Sequence, residues 1–281
     1  MVRFLRHVWD RWFGGPLAKV EAESLAYRLS PAGRGADWKT VVVILTAAAC
    51  LTTQNYVQQP NRLSGPLGFL AGLLFGPDAA AEVAAALREW TTDQGPRLVW
   101  FACAAFVTYA VLPALVIKLW LRERLTDYGA GIRGVAADWP VYAGFAAVML
   151  PLVYVCSAEP RFQQLYPFYH VETRADLGRG FVRWELVYAL QFVGLEFFFR
   201  GFMVHGTKHR FGAYAVFVMV VPYCMIHFHK PIPETIGSIL AGVALGLVSL
   251  VTRSVWPGAA LHVLVAWGMD FSVLARRGLF G

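Results

Sequence analysis

Residues 97–119 read RLVWFACAAFVTYAVLPALVIKL, and no charged side chain stands between Arg97 and Lys118. Wound as a helix at about 1.5 Å per residue, such a run covers the roughly 30 Å of a bilayer's hydrocarbon core. Lipid offers no hydrogen-bond partners, so the backbone must satisfy its own N–H and C=O groups, as a helix does. Working outward, stretches 40–57, 140–157, 181–205, 213–229, 235–251 and 256–275 read the same way. An eighth stretch, 66–88, is broken by Gly76, Pro77 and Asp78. It reads as a re-entrant element, a kinked span or an external helix. The expected fold is all-α, a polytopic transmembrane helical bundle of about seven to eight spans.

Composition agrees with the bilayer as solvent. Apolar residues make up 57% of the 281-residue chain and charged residues 15%, with a mean hydropathy of +0.50, a balance that a water-soluble domain would not keep. The formal net charge of +7 falls mainly in short connections between spans, which marks topology and excludes nucleic acid as a partner. With the amino terminus inside and 66–88 not crossing, the cytoplasmic face receives Lys118, Arg122, Arg124 and Arg133, then Lys208 with Arg210, then Arg253, and the 158–180 connection lies outside; if 66–88 crosses, the spans number eight and the carboxyl terminus returns inside. The four cysteines, Cys50, Cys103, Cys156 and Cys224, show no paired spacing, so neither a disulfide framework nor a zinc ribbon is implied. Residues 1–38 mix Arg3, Arg6, Asp10, Arg11, Lys19, Glu21 and Glu23 with apolar positions. They read as a cytoplasmic amphipathic segment rather than a signal peptide. With no internal repeat in view, residues 39–179 and 180–275 form one membrane domain. Ser238, Gly242 and Gly246 line one helical face at intervals of four, a small-residue stripe for close packing within the bundle or for a dimer seam.

An ionisable side chain in hydrocarbon costs several kcal/mol unless paired or hydrated, which makes each one a functional candidate. Glu196 and Arg200 are four residues apart, on one helical face, where pairing reduces that cost. Glu185, eleven residues earlier near the same stripe, sits toward the membrane edge and is expected to be solvated. Of His227 and His229, only one can face a site shared with Glu196, and His227 lies within the apolar run; Glu234 follows in the next turn. In the last span, His262, Ala266 and Asp270 share one broad face.

At these residues, over roughly 180–275, the chain resembles the CPBP family of intramembrane proteases, the CAAX-protease and bacteriocin-processing group. The family's Glu-Glu-x-x-x-Arg motif is represented by Leu195-Glu196 and Arg200, its Phe-x-x-x-His by Tyr223 and His227, and its His-x-x-x-Asn by His262 and Ala266. The resemblance implies an intramembrane endopeptidase, cleaving near the carboxyl terminus of a membrane-embedded or lipid-anchored protein in a bacterial plasma membrane. Within it Glu196 stands as the base that activates water and Arg200 orients it. His227 and His262 hold the water and donate to the oxyanion, or join Glu196 as ligands of a divalent metal such as zinc. Two positions depart from the pattern: Leu195 replaces the first glutamate and Ala266 the amide. Either Glu196 serves as base with Asp270 or Glu234 supplying the missing polar function, or the chain is a catalytically silent relative with an immunity or chaperone-like role. A small proton-coupled transporter is a third reading, weakened by the missing repeats.

Overall fold

A computed structural model describes residue 10, residues 14–132, residue 135 and residues 139–280. Arg3, Arg6, Arg11 and Arg133, used above to argue the amino-terminal segment and the topology, lie outside the described residues. No strand occurs among the described residues. The principal helices are α1 Gly15–Leu29, α2 Trp38–Val57, α3 Ser64–Phe75, α4 Pro77–Thr92, α5 Gln94–Leu121 and α6 Trp139–Cys156, followed by α7 Arg179–Phe211, α8 Tyr214–Met225, α9 Ile232–Thr252 and α10 Trp256–Arg276. Six of them, α2, α5, α6, α7, α9 and α10, are long and apolar enough to cross a membrane. The chain is an integral membrane protein built as a helical bundle.

The expected span at 213–229 is realised as the 12-residue α8, whose length of about 18 Å falls short of the hydrocarbon core. The chain leaves it through turns at Ile226–Lys230, ahead of Pro231, which cannot donate to a continuing helix. The broken stretch 66–88 resolves into two helices, α3 and α4, folded back on each other at Gly76, whose φ of 99° is open to glycine at little cost. A Cβ at Gly68 would lie 3.3 Å from the Ala80 carbonyl oxygen, so the absence of a side chain there permits the close approach. In α5, wide π-helical turns at Val107–Val111 and Val116–Leu121 flank Pro113. Proline clashes with the carbonyl four residues earlier, and widening the helix relieves that conflict.

Two compact units share the chain, each assembled from three stretches. The first comprises Met1–Ala48, Leu112–Gly144 and Leu195–Leu261. Here the small-residue stripe of α9 packs on α8: a Cβ at Gly246 would lie 2.6 Å from Val216 Cγ1, and one at Gly242 would lie 3.0 Å from Tyr223 Cδ1. The stripe serves close packing within the unit. Helix α1 docks through Glu21, which accepts from the Ala213 N–H at 2.7 Å, and just beyond the helix Arg210 donates to the Gly33 carbonyl at 2.7 Å. Asp37 holds His209 at 3.0 Å, and Lys39 pairs with Glu123 at 2.8 Å. The second unit comprises Ala49–Val111, Phe145–Gly194 and His262–Gly281. Its core is aromatic, with Trp184 stacked on Tyr188 at 4.6 Å between ring centroids and Phe192 following at 4.7 Å from Tyr188.

Candidate functional site

In the first unit a polar chain runs through an otherwise apolar interior. Glu196 closes the α-helical part of α7, which continues as a π-helix over Phe197–His205, a form often found at functional sites. Glu196 and Arg200 are both 0% exposed, and Arg200 Nη1 lies 3.0 Å from Glu196 Oε1. The four-residue spacing thus delivers the ion pair that the sequence suggested. The guanidinium continues the chain: its carbon sits 4.0 Å from the centroid of the Tyr223 ring on α8, a cation–π contact strengthened by desolvation. Phe199 closes on the same ring edge-on at 5.1 Å. One turn further along, the His227 ring meets Tyr223 at 4.9 Å.

His227 Nδ1 lies 2.8 Å from the Tyr223 carbonyl oxygen. A carbonyl only accepts, so Nδ1 carries the hydrogen and, in the neutral ring, Nε2 carries the lone pair. The Thr235 hydroxyl donates to the His227 carbonyl at 2.7 Å, securing the turn that presents the ring. His227 is buried and His229 exposed, as their positions relative to the apolar run suggested. Gly258, in the first turn of α10, approaches the other side of the carboxylate: a Cβ there would lie 3.1 Å from Glu196 Oε2. Glu234 is engaged by Lys230 at 2.6 Å in the first turn of α9.

His262 and Asp270 belong to the second unit. The His262 ring is stacked on Phe192 at 4.4 Å. Ala266 is buried in the cluster of Ala102, Trp184, Tyr188 and Phe192, an apolar position with no polar function. Asp270 is fully buried in α10. The expectation of a solvated Glu185 is corrected: it is 6% exposed, because the α7 face that carries it packs against α10, where Trp267 Nε1 donates to the Glu185 carbonyl at 3.3 Å. The signal was present in the sequence, since eleven residues are close to three helical turns and place Glu185 on the stripe of Glu196. Tyr223, which joins the cation to the histidine, was visible only as a motif position.

Among the described residues, no three His, Cys, Asp or Glu side chains gather as a metal ion would require.

Residues 179–268 match the family model of the type II CAAX prenyl endopeptidases, described as Rce1-like. No curated protein and no solved structure matches the chain. The matched segment starts at the first residue of α7 and ends within α10, so it contains Glu196, Arg200, Tyr223, His227, His262 and Ala266. Over residues 179–268 the chain is thus similar to the type II CAAX prenyl endopeptidases, consistent with the CPBP resemblance read from its motifs, with Leu195 where the first motif would place its leading glutamate.

Proposed function

We propose that this protein is an intramembrane endopeptidase of the CAAX-protease type, resident in a bacterial plasma membrane, that hydrolyses a peptide bond near the carboxyl terminus of a lipid-anchored or membrane-embedded protein. The observation that carries the reading is the continuous buried chain Glu196–Arg200–Tyr223–His227. A carboxylate and a tautomer-fixed imidazole at such depth are expensive to keep unless they serve chemistry. Glu196 takes a proton from water as the water oxygen attacks the scissile carbonyl carbon, and the same proton passes to the leaving amine. Arg200, 3.0 Å from the carboxylate, orients it for the attack, and His227 accepts a hydrogen bond from the water through Nε2. The role of His262 as a donor to the oxyanion rests on the family motif. The substrate class rests on the family description as well.

The test is cleavage of a lipid-anchored peptide by the full chain in proteoliposomes. Glu196→Gln should lower the rate by about 10²–10⁴-fold, the usual reach of general base catalysis. Undiminished cleavage by this variant would remove Glu196 as base. A second reading is favoured by Leu195 and Ala266, both buried in apolar positions: a catalytically silent relative that binds such a substrate without cutting it. Wild-type protein that retains the peptide but yields no product decides for it.

A further inference from the structure

In the second unit, α3 and α4 stand between two membrane-crossing helices: residues 58–63 link them to the end of α2, and Asp93 alone separates them from α5. Contacts shorten that tether. The Trp100 indole donates to the Val57 carbonyl at 2.7 Å, Arg62 to the Asn55 carbonyl at 3.0 Å, and the Thr91 hydroxyl to Asn61 Oδ1 at 2.9 Å. Trp90 closes edge-on against Trp100 at 5.6 Å, and the Arg62 guanidinium lies 6.0 Å from the Tyr56 ring. Tryptophan and tyrosine favour the headgroup level of a bilayer, so the base of this helical hairpin is held at one membrane face, where α2 ends and α5 begins.

The two helices of the hairpin differ in charge. No charged residue stands between Arg62 and Asp78, so α3 has none. Gly68 and Gly72 lie against Ala80 of α4. The opposite arc of α3, with Leu67, Phe69, Leu70, Leu73 and Leu74, is exposed, as is Phe75 at the tip, at 80%. Helix α4 instead exposes Asp78, Glu82, Arg88 and Glu89. Three placements conflict with this pattern. At 12 residues, α3 is about 18 Å long and cannot cross the hydrocarbon. Inserted tip first, the pair would carry Asp78 and Glu82 into the hydrocarbon. Held in water, it would leave the apolar arc uncovered.

We propose that the hairpin lies flat on the membrane face, with α3 sunk among lipid acyl chains just below the headgroups and α4 above it with its charges in water. It is a lipid-binding anchor that does not cross. The occupant of the apolar arc is lipid because the tether holds α3 at the level where acyl chains already meet the ends of α2 and α5. The anchor needs no substrate and no turnover, so its failure and that of the peptidase reading are separate results.

The test uses the full chain in nanodiscs holding one copy each, which removes a second copy as the cover. Leu70→Cys, Asp78→Cys and Ala85→Cys are treated with a charged maleimide, and labelling is followed peptide by peptide by mass spectrometry, which keeps the native cysteines apart. A thiol in hydrocarbon meets neither water nor the reagent, so Leu70→Cys should react on the order of tenfold more slowly than the other two. In wild-type protein, a phospholipid with a diazirine in its acyl chain should on illumination mark residues 64–75 well above residues 77–92. A Leu70→Cys rate equal to that of Ala85→Cys, or equal marking of the two helices, overturns the anchor and leaves α3 to water or to a protein partner. Slow reaction at all three positions overturns the flat placement in favour of insertion tip first.

Discussion

Replacing Arg200 by methionine probes the site at its most exposed energetic point. The pair is 3.0 Å apart with both side chains essentially without solvent. At an effective dielectric constant of about 20, two unit charges at that separation attract by roughly 5–6 kcal/mol. Desolvation of both ions offsets much of this in the intact pair. Removing only the cation leaves the offset in place and the attraction gone, so Arg200→Met should cost about 3–5 kcal/mol. Loss of the Tyr223 stacking adds about 0.5–2 kcal/mol. For a chain of this size that lowers the melting temperature by on the order of 10 °C. Thermal unfolding in detergent, followed by tryptophan fluorescence, is the assay. The discriminating variant is the double substitution Glu196→Gln with Arg200→Met, which removes both charges. It should recover at least half of the loss, so that the double variant costs clearly less than the sum of the two single variants. Arg200→Lys, which keeps the charge but not the flat fork, should fall in between. Additive single effects, or a cost below about 1 kcal/mol for Arg200→Met, would refute the pairing argument.

Three further expectations test other parts of the molecule. In α9, Gly246→Ala should destabilise by about 1–3 kcal/mol through overpacking, since its Cβ would lie 2.6 Å from Val216; Gly237→Ala, with no atom within 4 Å, should be neutral or stabilising by up to about 1 kcal/mol. The same unfolding assay reads both. Ala266→Asn would place an amide in the apolar cluster around Trp184 and Tyr188, at a cost of about 1–3 kcal/mol; an unchanged melting temperature would mean that a polar partner is available there. At the polar end of the first unit, burial raises the pKa of Asp37, but hydrogen bonds from the Thr40 amide and hydroxyl and from His209 outweigh it and hold the carboxyl below its usual range. Glu123 is held low against burial by Lys39 and Tyr128. The stability these groups add is present above the unfolded carboxylate range of about pH 4 and lost as pH falls through their lower folded values. Melting temperatures should therefore drop on the acid side of pH 4, with a shallower drop in Asp37→Asn.

The helical membrane class was legible because it follows from local arithmetic: an uncharged run long enough for the hydrocarbon must be helical wherever it crosses. The Glu196–Arg200 pair was equally legible, since both partners lie on one helix and four residues is a single turn. Preference for His227 over His229 followed from the end of the apolar run, and the break at 76–77 from backbone chemistry. The burial of Glu185 was not legible because its surroundings are made by α10, whose Trp267 lies 82 residues later in the chain, and distance from a membrane edge says nothing about which face a neighbouring helix covers. The sequence alone determined which side chains must find partners: charges and histidines set in apolar helices carry that requirement wherever they go. Tertiary structure decided the partners themselves. It stacked Arg200 on Tyr223, brought Glu185 against Trp267 and settled Ala266 among aromatic rings, because the meeting of helices distant in sequence is fixed by packing shape and not by any local spacing.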